Sequence, residues 1–291
     1  MMNRVPPIIL QLGPFEVRWY GVLIMLGVVL GALWGTRLAR KRGLDPEHVW
    51  GILILAVVLA ILGARLYHVF STPAGCPADA SYACGWPYYK HHFLDAFALW
   101  KYGGFQGLGI YGAIVGGSLG VLLYCVWNRL DALTWLDIGG VGLAFGQFVG
   151  RWGNFVNQEL FGPPTGSTWF GLRINPNLPH QELPAGTDYS TLFHPTFLYE
   201  SLWCLLVFGI LYVAYLRLER WLRKGDIIVA YVVLYSLGRF FVEFFRPDAW
   251  TIGSLATAQW IALSCMAAGI ALVALRHIFW KRPQAPSSQA Q

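Results

Sequence analysis

Apolar residues run along this chain in long blocks, broken by short polar or basic segments. Blocks near 20–38, 49–70, 107–127, 134–149, 195–216, 226–245 and 255–279 each approach the ~20 residues that a helix needs to cross a hydrocarbon core. The pattern predicts an all-α polytopic membrane protein with seven transmembrane helices, the fourth short and the third interrupted by glycine. Only Arg4 precedes the first apolar residues and no small-residue cleavage site follows, so a removable signal peptide is not expected. No shorter internal repeat is visible.

Composition sharpens this. Charged residues make up 12% and hydrophobic residues 56% of the chain, against about 25% charged in ordinary globular proteins. The net charge of +6 has a topogenic explanation, because its carriers cluster in alternate loops. Arg37, Arg40, Lys41, Arg42, Arg129, Arg217, Arg220, Arg223, Lys224, Arg276, Lys281 and Arg282 all fall on one side of a seven-span arrangement. That side is expected to face the cytoplasm, with the C-terminus there and the N-terminus outside. Nucleic-acid binding is therefore not a required reading of the charge.

One integral membrane domain, 1–282, accounts for these features, followed by a polar tail, 283–291, expected to be disordered. Two longer segments lie on the outer side: a loop at about 71–100, and a Gly-, Pro- and Asn-rich insert at about 161–193 that reads as a small extracytoplasmic head. Cys76 and Cys84 in the first are available to pair in an oxidising compartment. Cys125, Cys204 and Cys265 fall within spans and are read as packing residues.

Candidate chemistry sits where lipid should be. The stretch FVGRWGNFVNQELF at 148–161 carries Arg151, Asn154, Gln158 and Glu159, with the first three spaced i, i+3 and i+7, one face if the helix continues. A guanidinium in hydrocarbon persists only with a counter-charge, a wet cavity or an anionic ligand. Arg239, Glu243 and Arg246 are spaced i, i+4 and i+7 on the sixth block. Arg239 and Glu243 suit an internal ion pair, and Arg246 and Arg151 then remain in excess, a composition suited to phosphate. Glu200, a turn inside the fifth block, needs a cationic partner. His194 precedes a proline helix start and reads as a cap or a proton relay; Arg65 reads as a packing or ion-pair residue; Asp137 reads as a helix N-terminal carboxylate. Trp19 and Tyr20 suit an interfacial aromatic belt, and the glycines of 103–112 suit a re-entrant loop or close helix packing. No HExxH or CxxC spacing occurs, so neither a metal nor a cofactor is expected.

Several of these stretches together resemble the bacterial prolipoprotein diacylglyceryl transferase family: Trp19-Tyr20-Gly21, the glycine-rich run before Tyr111, GRWGNFVNQELFG at 150–162, HPTFLYE at 194–200 and GRFFVEFFRPD at 238–248. The resemblance covers nearly the whole chain. It implies a seven-span enzyme of the inner membrane that moves diacylglycerol from phosphatidylglycerol to the lipobox cysteine thiol of a prolipoprotein, releasing glycerol phosphate. Its partners would be that lipid, the precursor's signal peptide and the bilayer. By the same resemblance Arg151 and Arg239 would bind the lipid phosphate, with Tyr20, Asn154, Glu159, Glu243 and Arg246 at further important positions. Many members carry His-Gly-Gly within the glycine-rich run, where this chain has Tyr111-Gly112-Ala113. Tyr111 and His194 are the candidates to relay the thiol proton, with a thiolate paired near the arginines as the alternative. From a different class, a transporter or binder of anionic lipid would use the same arginines, and a structural membrane protein would need only their ion pairs.

Overall fold

The computed structural model describes residues 6–12, 15–72, 85–97, 108–176, 183–246 and 251–279. Eight α-helices lie among them: α1 (Trp19–Lys41), α2 (Glu47–Phe70), the short α3 (Gly85–Tyr89), α4 (Ile110–Trp127), α5 (Ala132–Asn157), α6 (Thr196–Arg217), α7 (Asp226–Val242) and α8 (Thr257–Phe279). All but α3 are long and apolar enough to cross a membrane; α7 continues through a 3₁₀ turn, Glu243–Phe245. Helices are what such apolar runs must form in lipid, because each backbone amide is satisfied within its own segment.

The fourth span is not short. At 26 residues α5 is the longest helix described, because nothing breaks it after Val149: the polar side chains of 151–157 include no proline and find partners of their own. It stops where Gln158 turns left-handed at φ 51°. The third span starts at Ile110 and the last at Thr257, each later than the hydropathy suggests.

Short strands accompany the helices. β1 (Ile8–Leu12) pairs antiparallel with β2 (Phe15–Arg18) and leads directly into α1. β3 (Leu172–Arg173) pairs with β4 (Leu192–Phe193) in the 161–193 insert. β5 (Thr251–Ile252) pairs with β6 (Leu255–Ala256) before α8. The insert has a small core of Leu172, Ile174 and Phe193, flanked by Phe155, Phe161 and Leu183. Cys76, Cys84, the 103–107 glycines and the 283–291 tail lie outside the described residues.

Helix α1 packs most extensively on α5, and α2 on α4. Both contacts depend on glycine. A Cβ on Gly27 would stand 2.6 Å from the Gly146 carbonyl oxygen, and one on Gly63 2.3 Å from that of Gly112. Backbones this close exchange side-chain volume for dispersion contacts along the whole crossing, the packing mode favoured in lipid. Helix α5 also contacts α4, α6 and α7, which makes it the central element. Leu38, Val141 and Leu211 are almost fully enclosed around it, with Trp34 packed edge-on to Tyr212 and at a tilt to Phe145 and Phe208.

At the basic end two buried carboxylates organise the loops. Asp137 does not cap its own helix. It sits a turn beyond the N-terminus of α5, whose N-cap is Asp131, and reaches sideways to accept from Gly225 N at 2.7 Å and Ile228 N at 2.9 Å. It thereby caps α7 from a neighbouring helix. Asp226 accepts from Arg223 N at 2.7 Å and Arg276 Nη1 at 3.3 Å, and its Oδ2 lies 2.7 Å from His277 Nε2, tying the start of α7 to the end of α8. Arg65 near the opposite end donates to the carbonyls of Asp95 and Ala96 and lies over the Tyr89 ring, fastening α2 to the segment after it.

Asp137→Ala is expected to remove about 2 kcal/mol of stability, since it strands amides that a charged acceptor satisfies. Thermal unfolding in detergent reads this, with Asp137→Asn falling between the two. An unchanged Tm would contradict the cross-helix cap.

Candidate active site

The charged residues of three spans meet where α5 ends, α6 begins and α7 ends. Arg151 Nη2 lies 2.6 Å from Glu200 Oε2, and Arg239 Nη1 lies 3.1 Å from Glu200 Oε1. Arg239 Nη2 is 2.9 Å from Glu243 Oε2, and Arg246 Nη1 is 3.7 Å from the same oxygen. The result is an alternating ladder, Arg151–Glu200–Arg239–Glu243–Arg246. Three guanidiniums against two carboxylates leave one positive charge.

The pairing is not symmetric in exposure. Glu200 and Glu243 side chains are 10% and 5% exposed, whereas the three arginines range from 19% to 26%. The anions are sunk into the protein and the cations keep an open side. Removing a charge from water in this setting is costly unless a partner stands in contact, so each arginine is held by a carboxylate.

Around the ladder stand the other expected residues. Asn154 Nδ2 donates to Glu159 Oε1 at 2.8 Å, and Glu159 N donates back to the Asn154 carbonyl at 3.2 Å. Tyr20 packs on α5 at Gly153, where a Cβ would come within 2.8 Å of its ring. Tyr20, Arg151 and Asn154 line the head end of one cavity of about 450 Å³. From there it runs between α1, α2, α4 and α5, past Gly31 and Gly142, to Gly35, Val49 and Trp135. Beyond its polar mouth and Gln147 the lining is apolar.

The sequence pattern and the structure part at three residues. Gln158 does not share the face of Arg151 and Asn154, because the helix ends at Asn157. Its enclosed side chain donates to the Arg173 carbonyl at 3.2 Å and accepts from Asn175 N at 2.6 Å, tying α5 to the head. His194 makes no side-chain cap; its Nδ1 lies 2.9 Å from the Tyr199 hydroxyl, and its ring packs on Phe245, the residue before Arg246. Tyr111, at the head end of α4, is 52% exposed and packs on Tyr67. None of the contacts described for Tyr111 reaches the ladder.

Two further residues belong to the constellation. Glu200 serves two arginines where the pattern asked for one. Tyr235, not singled out above, approaches Arg151 Nη2 with its hydroxyl at 3.3 Å. It lies four residues before Arg239, so the helical period that grouped Arg239 with Glu243 also reaches it.

Fold and site together define a polytopic helical membrane protein with a net-positive polar site, one of whose arginines, Arg151, also lines an apolar cavity. The profile of one family, prolipoprotein diacylglyceryl transferase, matches residues 7–275. The chain belongs to that family. It is 37% identical to a protein of Symbiobacterium thermophilum over 97% of this chain and 96% of that one. To a Gloeobacter violaceus protein it is 38% identical over 98% and 96%, and to one from Ligilactobacillus salivarius 33% over 94% of each. All three relatives are named phosphatidylglycerol–prolipoprotein diacylglyceryl transferase.

Glu200→Gln leaves two guanidiniums without their shared anion and is expected to cost about 3 kcal/mol. Glu219→Gln, at the exposed pair with Arg42, should cost less than about 1 kcal/mol. Thermal unfolding of the two variants side by side checks the difference. Equal shifts would mean that the ladder carries no more than a surface ion pair.

Proposed function

We propose that this protein transfers the diacylglyceryl group of phosphatidylglycerol to the lipobox cysteine thiol of prolipoproteins, forming a thioether and releasing glycerol phosphate. The observation that carries this reading is the ladder's surplus positive charge beside an apolar cavity that its member Arg151 lines, an arrangement matched to an anionic headgroup on a hydrocarbon tail. Family membership and the names of the relatives support it. The basic loops support an inner-membrane orientation with the C-terminus in the cytoplasm and the head outside.

In this reading Arg151 and Arg239 grip the phosphate from two helices, with Glu200 between them setting their spacing. Arg246, held by Glu243, assists at the outer edge. Tyr20, Asn154 and Glu159 shape the rim and orient the glycerol moiety. The thiol sulfur attacks the diacylglycerol carbon that bears the phosphate, the carbon–oxygen bond breaks, and its electrons leave with the phosphate oxygen. Negative charge grows on that oxygen, where each preorganised cationic donor is worth about 3 kcal/mol. A thiol with an ordinary pKa of about 8.5 must first lose its proton. His194 is the better-supported acceptor, because its ring lies against the residue before Arg246, whereas Tyr111 meets Tyr67. The lipid surroundings limit competing hydrolysis.

Purified protein should transfer labelled diacylglycerol from phosphatidylglycerol onto a lipobox peptide. Folded Arg151→Ala should do so at least about a hundredfold more slowly. No thioether from a well-folded parent, with active substrate controls, would favour an anionic-lipid transporter or binder instead. In the same assay His194→Ala should lose most of its turnover and Tyr111→Phe should retain it; the reverse outcome would move the proton transfer to Tyr111.

A further inference from the structure

Helix α1 carries a second set of cations, at the end opposite the ladder. Tyr20, which packs beside the site, and Arg37 are seventeen residues apart on α1, or about 26 Å along the helix axis. Arg37 therefore stands near the other face of a hydrocarbon core about 30 Å thick. It is spaced i, i+4 from Lys41, and both side chains are exposed. Like charges at that spacing repel each other on a helix surface.

Each of these cations stands over an aromatic ring. The Arg37 guanidinium carbon lies 5.1 Å from the Trp34 ring centre, and Lys41 Nζ lies 5.9 Å from that of Tyr212 on α6. The two rings are themselves 5.1 Å apart, edge to face, and Phe208 extends the floor at 5.3 Å from Trp34 and 5.7 Å from Tyr212. Ring faces attract cations through their quadrupoles but leave the charge in place. The carboxylates at this end have other partners: Glu219 pairs with Arg42, Asp131 with Lys224, and Asp226 with Arg276 and His277. Among the described residues neither Arg37 nor Lys41 joins an ion pair. Toward the bilayer centre Val29 and Leu33 continue the i, i+4 row, 40% and 43% exposed. Along this ridge of α1 two exposed apolar residues thus lead to two unneutralised cations.

We propose that this ridge binds one acidic phospholipid of the cytoplasmic leaflet, its phosphate bridged between Arg37 and Lys41 and an acyl chain lying along Leu33 and Val29. Charge complementarity selects the head, because a phosphate accepts charge-assisted hydrogen bonds from both cations and relieves their repulsion. The apolar row below selects a lipid, since a free phosphate ion gains nothing from it. Topogenic charge alone requires basic residues in the loop, not two of them on one ridge above touching rings. Arg40 serves as the contrast: it is exposed on the same turn, and no ring or carboxylate among the described residues pairs with it. The site stands apart from the ladder and from the reaction proposed for it; the basic loops decide only which leaflet it faces.

The test titrates the full chain, in neutral detergent, with phosphatidylserine, an acidic lipid that lacks the glycerol headgroup, and counts bound lipids by native mass spectrometry. Arg37→Gln/Lys41→Gln is compared with Arg40→Gln/Arg217→Gln, which removes the same charge from the same end. Thermal unfolding without lipid checks that both variants fold. The wild type and the Arg40/Arg217 variant should each retain one phosphatidylserine more than the Arg37/Lys41 variant, whose affinity for that molecule falls by about tenfold or more. Phosphatidylcholine, which has no net charge, should bind all three proteins alike. Equal losses from the two double variants would mean that diffuse surface charge suffices. No loss from the Arg37/Lys41 variant would mean that these cations hold no acidic lipid. Either result overturns the inference and leaves the transferase reading untouched, because the ladder is intact in every protein compared.

Discussion

The bridge from Arg151 through Glu200 to Arg239 is the contact on which the site depends. It spans three helices, and each member would be prohibitively placed without the other two. Two guanidiniums in an apolar bundle repel each other and demand solvation; one carboxylate between them supplies both with a partner. Because Glu200 neutralises only one of the two, the site retains a positive field. A water-soluble enzyme would dissipate such a field in solvent, whereas a poorly solvated site keeps it strong. Glu243 repeats the device on a smaller scale between Arg239 and Arg246.

That bridge needs α5, α6 and α7 held at fixed separations, and much of the remaining bundle serves this end. The glycine crossing fixes α5 against α1, Asp137 fixes α5 against the start of α7, and Ser201 Oγ donates to the Phe148 carbonyl at 3.0 Å to fix α6 against α5. Close approach at Gly27–Gly146 and Gly31–Gly142 also leaves the space beside the crossing vacant, since neither helix carries side chains there to fill it. The same small residues that tighten the bundle therefore open the cavity.

Much of this was legible in the chain itself. Seven spans followed from block lengths alone, because lipid leaves a long apolar segment few alternatives to a helix. Grouping Arg239, Glu243 and Arg246 on one face followed from helical spacing. Long-range partners were harder. Glu200 was recognised as needing a cation, but its position between two arginines depends on how three helices pack. Asp137 looked like a cap for its own helix, and only the neighbouring α7 N-terminus, eighty-eight residues away along the chain at Gly225, explains its burial. The end of α5 is not legible from hydropathy, because the polar residues of 151–157 interrupt the apolar block although the helix runs on to Asn157. The short strand pairs carried no periodicity long enough to read.

The central claim is that Arg151 and Arg239 jointly hold the phosphate of an anionic lipid. The direct measurement is a structure of the protein in nanodiscs of phosphatidylglycerol, at a resolution that separates headgroup from tail. The account predicts a phosphate within hydrogen-bonding distance of both guanidiniums, with Glu200 still between them. A well-resolved lipid whose phosphate lies elsewhere, with both arginines engaged only by carboxylates, would contradict it.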